Sequence, residues 1–302
     1  MARPLRVGIQ LPEVERVVTW PEVRDIALAV QDEGFDSIWV GDHLLYRNGD
    51  EVTGPWEAWS VLAALAEATE RISLGPLVAA TAFHNPAMLA KKAATVDEIS
   101  GGRLVLGIGA GWNRAEFDAF GFPYDHRASR FEEALGIIHG LLRGDTVTFD
   151  GAFYRVEDCV LVPPARPGGP PIMIGSQGPR VLRAALPFAA AWNGWYAWFG
   201  NDVERASELL EVVDDACHEV GRDPRSVSRS VTVLVEAPGS VGNMERAKRW
   251  DDPPAVSGSP DDIADVLRRY AAIGIDEVQL VVDPITTGSV RWLGAMLATL
   301  DS

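Results

Sequence analysis

Residues 100–113 read SGGRLVLGIGAGWN, in which a short apolar run leads directly into a glycine-rich turn. The run Leu104–Ile108 predicts a buried strand, because it is short, apolar and bounded by glycines. Seven similar runs occur along the chain: Arg6–Gln10, Ser37–Gly41, Ile72–Val78, Pro171–Gly175, Phe188–Asn193, Ser230–Glu236 and Glu277–Val282. Helical patterns separate the runs, and parallel strands need such crossover connections. The chain is therefore predicted to be an α/β protein, a (β/α)8 TIM barrel.

Two stretches interrupt the alternation of strands and helices. Residues 145–170 contain the turn-like pair Asp150-Gly151 and then a Pro/Gly-rich run, which predicts a hairpin insertion between strands 4 and 5. Residues 239–258 mix charges, Pro, Gly and Ser without periodicity, which is typical of a mobile loop near a barrel mouth. Since no repeat other than the βα alternation is found, we expect residues 1–302 to form a single domain.

The composition argues against several classes of partner. The formal net charge is -16, so the average field of the protein repels nucleic acid and anionic membrane surfaces. No uninterrupted apolar span is long enough to cross a bilayer, and acidic residues come early at the N-terminus, so we expect a cytoplasmic protein. Cys159 and Cys217 lie far apart without CxxC or HxxxH spacing, which predicts neither a disulfide framework nor a metal site.

His43 is the histidine that stands at a predicted strand end. Barrel active sites lie where strands end and βα loops begin, and His43 follows the second strand. Its imidazole can donate or accept a proton near neutral pH. The neighbouring Asp42 either tunes this histidine or points away into the helix layer. The alternative is a hydrogen-bonded histidine with a structural role only.

The fifth predicted strand ends in a glycine-rich turn, Gly175-Ser176-Gln177-Gly178, and a helix begins near Pro179. Backbone N–H groups at such a helix start, together with a serine hydroxyl, can bind a phosphate. Arg180 and Arg183 lie one helical turn apart and can add positive charge. An ordinary βα turn capped by Ser176 is the alternative.

The turn after the fourth strand, Gly107-Ile108-Gly109-Ala110-Gly111, matches a dinucleotide motif poorly, because that motif follows the first strand of a doubly wound sheet. Its glycines are better explained if they keep the barrel mouth clear for a flat ring, with Trp112 and Asn113 at the edge. Tight packing of strand against helix is the alternative.

Tryptophans are frequent enough to wall an apolar pocket for a planar ligand. Two of them are equally explained by helix packing or by a subunit contact, namely Trp56 and Trp59. The tryptophans considered are Trp39, Trp56, Trp59, Trp192, Trp195 and Trp198.

A set of motifs spanning nearly the whole chain resembles the luciferase-like monooxygenase superfamily, and within it most closely the coenzyme F420-dependent oxidoreductases. The first part runs from Asn85-Pro86 through Ser100-Gly101-Gly102-Arg103 and the glycine turn to Glu116-Phe117 and Gly121. The match continues through Arg130-Phe131-Glu132-Glu133-Ala134, Ile174-Gly175-Ser176-Gln177-Gly178-Pro179, Gly258-Ser259-Pro260 and Gly274-Ile275-Asp276-Glu277. The combination is far more specific than any one motif.

The resemblance implies a barrel whose strand ends bind a deazaflavin or flavin ring. It also implies a non-prolyl cis peptide at Leu77-Val78, with Ala79 as the alternative position, and a proton-transferring role for His43. It further implies a small-molecule substrate, a homodimer and, in some cases, a separate cofactor reductase. The cofactor-binding residues implied are Leu77, Val78, Ala79, Gly107, Gly109, Ala110, Gly111, Asn113, Gly175, Ser176, Gln177 and Gly178.

The chain departs from the family pattern at three places. The basic residue that helps flavin enzymes hold phosphate is replaced by Ala110, which favours F420 over FMN. Gly111-Trp112 lacks the glutamate of sugar-phosphate dehydrogenases, and Ala191 replaces an acidic residue. The expected function is hydride transfer between deazaflavin C5 and a small organic substrate.

Two other functions stay open at this point. One is an FMN-dependent monooxygenase that uses reduced flavin and dioxygen, and the other is a non-catalytic flavin-binding barrel. The substrate is expected to contact the least patterned stretches, residues 194–201 and 239–258.

Overall fold

The computed structural model describes residues 3–242 and 252–302. The strands in these ranges are β1 (Arg6–Gln10), β2 (Ser37–Val40), β3 (Tyr46–Asn48), β4 (Glu51–Thr53), β5 (Ser73–Pro76), β6 (Ala79–Ala80), β7 (Leu106–Gly109), β8 (Val147–Asp150), β9 (Arg155–Cys159), β10 (Ile172–Gly175), β11 (Ala191–Gly194), β12 (Ser228–Glu236) and β13 (Glu277–Asp283). The α-helices are α1 (Trp20–Glu33), α2 (Ala58–Ala68), α3 (Pro86–Ile99), α4 (Arg114–Phe120), α5 (Arg127–Leu142), α6 (Pro179–Ala185), α7 (Val203–Glu219), α8 (Pro260–Ala272) and α9 (Thr287–Leu300).

The main sheet closes into a barrel. Its order is β5-β2-β1-β13-β12-β11-β10-β7-β6, with parallel pairing throughout. The short strands β5 and β6 follow each other at one barrel position, and a bridge between Leu74 and Leu104 joins β5 to the segment before β7. Nine strands therefore fill eight positions, and the predicted (β/α)8 barrel is confirmed.

Burial explains why these segments form the barrel. All four residues of β2 and of β7 are buried, as expected for strands covered on both faces. Helix α8 buries Ile263, Leu267 and Tyr270 on one face, and Ser259 caps its first turn. Within the two described ranges, no helix is both long and apolar enough to span a membrane.

Two antiparallel hairpins stand outside the barrel. Strands β8 and β9 pair between β7 and β10, in the stretch where an insertion is predicted. Strands β3 and β4 form a second hairpin directly after β2, which the sequence interpretation above did not include. The predicted mobile loop at residues 239–258 lies partly outside the described residues, because 243–251 are not among them.

Candidate active site

A break in the third barrel strand shapes the floor of the mouth. The peptide bond Leu77-Val78 is cis and separates β5 from β6, at the position that the family resemblance implied. The Leu77 N–H donates to the carbonyl of Val40 at 2.8 Å, which anchors the break to β2. A Cβ added at Gly175 would stand 2.8 Å from Val78 Cγ2, and one at Gly109 would stand 3.0 Å from the same atom. These glycines therefore leave room for the Val78 side chain.

His43 lies between two buried carboxylates. Its Nδ1 is 3.1 Å from Glu116 Oε1 and 3.0 Å from Glu116 Oε2. Its Nε2 is 3.6 Å from Glu13 Oε1. Glu13 and Glu116 are only 7% and 1% exposed. The sequence interpretation assigned neither glutamate a role.

Glu13 is held by two polar side chains. Gln10 Nε2 donates to its Oε2 at 2.5 Å, and the Tyr46 hydroxyl donates to its Oε1 at 3.1 Å. A Cβ at Gly41 would stand 2.4 Å from Glu13 Oε2, so this carboxylate needs a glycine beside it. Burial raises the pKa of Glu13 above 4.5, against the opposing positive charge of His43.

The charge of His43 responds to these neighbours. Burial alone lowers its pKa, but the charge of Glu13, the hydrogen bond to Glu116 and the charge of Asp42 together raise the pKa of His43 above 6.5. These surroundings favour the protonated imidazole more than water does. A histidine in this setting can both deliver and take up a proton.

Aromatic rings stand around His43. The ring centroids of His43 and Tyr46 are 4.7 Å apart, and those of His43 and Trp112 are 5.8 Å apart. Trp112 is 63% exposed, so an indole face is open to solvent beside the histidine. The prediction that tryptophans line a ligand pocket is wrong for Trp39 and Trp192, because both are buried in the protein core.

The Asp42 side chain is bonded to groups other than His43, yet its charge still raises the pKa of His43, so Asp42 also has the tuning role considered above. Its Oδ2 lies 2.8 Å from His84 Nε2 and accepts the Ala80 N–H at 2.9 Å. His84 therefore holds Asp42 against the start of the third βα loop. The start of α3 is capped by Asn85, whose Oδ1 accepts the Met88 N–H at 3.2 Å.

In the turn that is predicted to bind phosphate, the Ser176 hydroxyl forms a hydrogen bond with the main chain. The Gly178 N–H donates to Ser176 Oγ at 3.1 Å, and Trp192 Nε1 donates to the Ser176 carbonyl at 2.7 Å. The nearby arginines already have acidic partners: Arg180 contacts Glu132 at 2.6 Å, and Arg183 Nη1 lies 3.4 Å from a Glu219 oxygen. Arg180 also lines a pocket of about 270 Å³ with Tyr124, His126, Arg127, Ala128 and Ser129.

The other predicted ring-binding residues come together through strand pairing. Ala79 pairs with Ile108 and Ala80 with Gly109, while Ile174 pairs with Ile108 on the other side of β7. Asn113 lies at the start of α4 and donates through Nδ2 to the Leu45 carbonyl at 3.1 Å. One rim of the barrel thus carries His43, the cis peptide and both glycine turns. Their roles toward a cofactor stay predictions.

Comparison with characterised proteins identifies similar oxidoreductases. The chain is 30% identical over 257 residues to the 5,10-methylenetetrahydromethanopterin reductase of Methanolobus tindarius, covering 84% of this chain and 72% of that protein. It is 39% identical over 155 residues to the enzyme of the same name from Archaeoglobus fulgidus, covering 51% and 43%. A phthiodiolone/phenolphthiodiolone dimycocerosates ketoreductase of Mycobacterium tuberculosis is 32% identical over 215 residues, covering 65% and 55%. The chain thus spans about half the length of the last two relatives.

Solved structures agree with the fold. An F420-dependent secondary alcohol dehydrogenase in complex with an F420-acetone adduct superposes with a TM-score of 0.84 at 18% identity, covering 99% of both chains. The monooxygenase RslO1 from Streptomyces bottropensis superposes with a TM-score of 0.78 at 21% identity, covering 97% of this chain and 99% of that one.

A family model described as luciferase-like monooxygenase matches residues 6–251. This match covers most of the chain and includes His43, the cis peptide and both glycine turns. The chain therefore belongs to the luciferase-like monooxygenase family.

Proposed function

We propose that the chain is a coenzyme F420-dependent oxidoreductase that moves a hydride between C5 of the deazaflavin and a small organic substrate. The observation that carries this proposal is His43, held at the barrel rim between the carboxylates of Glu13 and Glu116. Reduction of a carbonyl group needs a proton at oxygen, and His43 is suited to supply it. When bound, the deazaflavin supplies or accepts the hydride without making use of dioxygen.

The main chain at the rim would hold the cofactor ring. A Cβ at Gly107, Gly109 or Gly175 would meet a neighbouring atom at 2.2, 3.0 or 2.8 Å, so these glycines let β7 and β10 pack closely against Pro76 and Val78. The ring would lie beside this closely packed backbone. The ring-contacting residues proposed are Leu77, Val78, Ala79, Gly107, Gly109, Ala110, Gly111 and Asn113.

The turn at Gly175, Ser176, Gln177 and Gly178 would hold the cofactor phosphate through main-chain N–H groups and the serine hydroxyl. Ala110 brings no positive charge to the rim, which favours F420 over FMN. The presence of a ketoreductase and of a secondary alcohol dehydrogenase among the similar proteins supports a carbonyl and alcohol pair as the substrate class.

Cofactor titration tests the proposal. Purified protein is mixed separately with F420 and with FMN, and the quenching of tryptophan emission gives the two dissociation constants. We expect F420 to bind more tightly, and F420-dependent turnover of ketones or secondary alcohols to be measurable by the absorbance of the deazaflavin. His43→Gln is expected to keep F420 binding and to lose turnover.

Other outcomes would favour the other functions. Tighter binding of FMN, with consumption of dioxygen by the reduced flavin, would indicate a flavin-dependent monooxygenase. Binding of either cofactor without turnover by any donor would indicate a non-catalytic barrel.

Light scattering of the same samples tests the homodimer that the resemblance implies. We also propose a cytoplasmic location for the protein.

A further inference from the structure

Glu116 connects α4 to the loop after β2. Its Oε1 accepts the Leu44 N–H at 2.6 Å, and it also lies 3.4 Å from the Leu45 N–H. The same carboxylate meets His43 Nδ1 through both oxygens, at 3.1 and 3.0 Å. Because Glu116 is 1% exposed, water does not compete for these contacts.

The hydrogen-bond capacities of these groups determine where the His43 proton lies. An ionised carboxylate can only accept hydrogen bonds, so the nitrogen that faces it must carry hydrogen. The neutral form of His43 is then the Nδ1–H tautomer. Nε2 is left without a hydrogen-bond partner within 3.5 Å in the part of the chain that the structure describes, since Glu13 Oε1 is 3.6 Å away.

We propose that Glu116 is a positioning residue that keeps His43 protonated at Nδ1, so that Nε2 is the atom that exchanges a proton with the substrate. This inference rests on the proposed function for its second half. In the reducing direction, the substrate carbon accepts a hydride from the reduced cofactor, its oxygen takes the Nε2 proton, and neutral His43 keeps Nδ1–H. Oxidation of the alcohol reverses each transfer.

Other titratable groups face His43, and the carboxylates among them act on its charge. Glu13 approaches from the segment after β1, Asp42 precedes His43 in the chain, and Tyr46 lies in β3. Asp42 is engaged by His84, and the Tyr46 hydroxyl donates to Glu13. Glu116 is the group in direct contact with Nδ1.

Glu116→Gln provides a sharp test, because the Leu44 N–H selects the orientation of the new amide. The Gln oxygen must stay at the position of Oε1 to accept this N–H. The amide NH2 then takes the position of Oε2, 3.0 Å from Nδ1, and opposes a hydrogen on that nitrogen, while the Gln oxygen stays 3.1 Å from it. Neutral His43 is therefore expected to hold a larger fraction of the Nε2–H tautomer than in the unmodified protein.

Long-range ¹H–¹⁵N NMR spectra of the cofactor-free protein, recorded over a pH series, identify the tautomer of each histidine. The other four of the five histidines serve as internal references. Glu57→Gln is a matched control, because Glu57 also accepts two N–H groups at a helix start, from Trp59 at 3.1 Å and Ser60 at 2.7 Å. It should leave the His43 signals unchanged.

In kinetics with F420, Glu116→Gln should lower kcat, by up to about 10²-fold, with little change in KM, because more of the neutral base presents the wrong nitrogen. An Nε2–H tautomer in the unmodified protein would overturn the inference even if the variant failed to fold. Nδ1–H without any F420-dependent turnover would support the tautomer assignment and overturn the proposed function instead.

Discussion

His43 and His84 each contact a carboxylate at the barrel mouth, and their surroundings differ. His84 has a side chain that is 9% exposed, and its partner Asp42 also binds the Ala80 N–H. His43 is 18% exposed, and its Nε2 is 3.6 Å from the nearest carboxylate oxygen of Glu13. The same kind of contact thus closes a loop in one place and leaves a ring nitrogen open in the other. The contact with a carboxylate alone does not distinguish the two histidines; the open nitrogen of His43 does.

The largest effect is expected from exchanging each histidine for glutamine. His43→Gln should lower F420-dependent turnover by about 10² to 10⁴-fold, the usual contribution of a general acid or base. His84→Gln should keep most of the turnover, because His84 contacts Asp42 and not the open rim. Steady-state kinetics of both variants measure the difference. Equal losses in the two variants would abolish the distinction between the histidines.

Asp42→Ala is expected to have the next largest effect, which is a decrease in the free energy of unfolding. It leaves the buried Ala80 N–H and His84 Nε2 without their acceptor, which costs about 1–3 kcal/mol for an unsatisfied buried group. Urea unfolding measures the change in the free energy of unfolding. Asp118→Ala is the control, since its pair with Arg114 is exposed and contributes about 0–1 kcal/mol. Equal costs for the two variants would show that Asp42 does not close the loop.

The pH dependence of the unfolding free energy should show a smaller effect, at His43 alone. The pKa of His43 is raised in the folded protein, so its stabilising contribution is complete below pH 6.5 and is lost as the pH rises through the folded pKa. Unfolding free energies measured from pH 6 upward should therefore fall less steeply in His43→Gln than in the unmodified protein. A steeper fall in the variant would mean that the pKa of His43 is lowered by folding.

Trp59→Phe should have the smallest effect. The Trp59 ring meets His84 edge-on at 6.4 Å, and its indole N–H has no hydrogen-bond partner among the described residues. The variant therefore loses no hydrogen bond, its cost comes from the cavity that the smaller ring leaves, and turnover should be unchanged. Trp39→Phe is the comparison, because its indole N–H donates to Ser37 Oγ at 2.8 Å. Thermal unfolding of both variants should show the larger decrease for Trp39.

Several site features were within reach of sequence reasoning. His43 was predicted because it follows a strand in a barrel, and the cis peptide position came from the family resemblance. The hairpin β3–β4 was missed although Asn48-Gly49 is a strong hairpin-turn signal. Glu116 was missed for a different reason: Asn113 with Glu116 three residues later looks like a capping box, yet the structure shows no side-chain cap there.

The amino-acid sequence was enough to establish the alternation of strands and helices, and with it the barrel, because hydrophobic periodicity is a local property of the chain. The partners of His43 emerged only from the folded chain. Glu116 is 73 positions away from His43, and Glu13 reaches the site because Gly41 leaves room for it. Which side chains meet across a barrel rim depends on strand register and on packing between distant segments, and no local pattern encodes either.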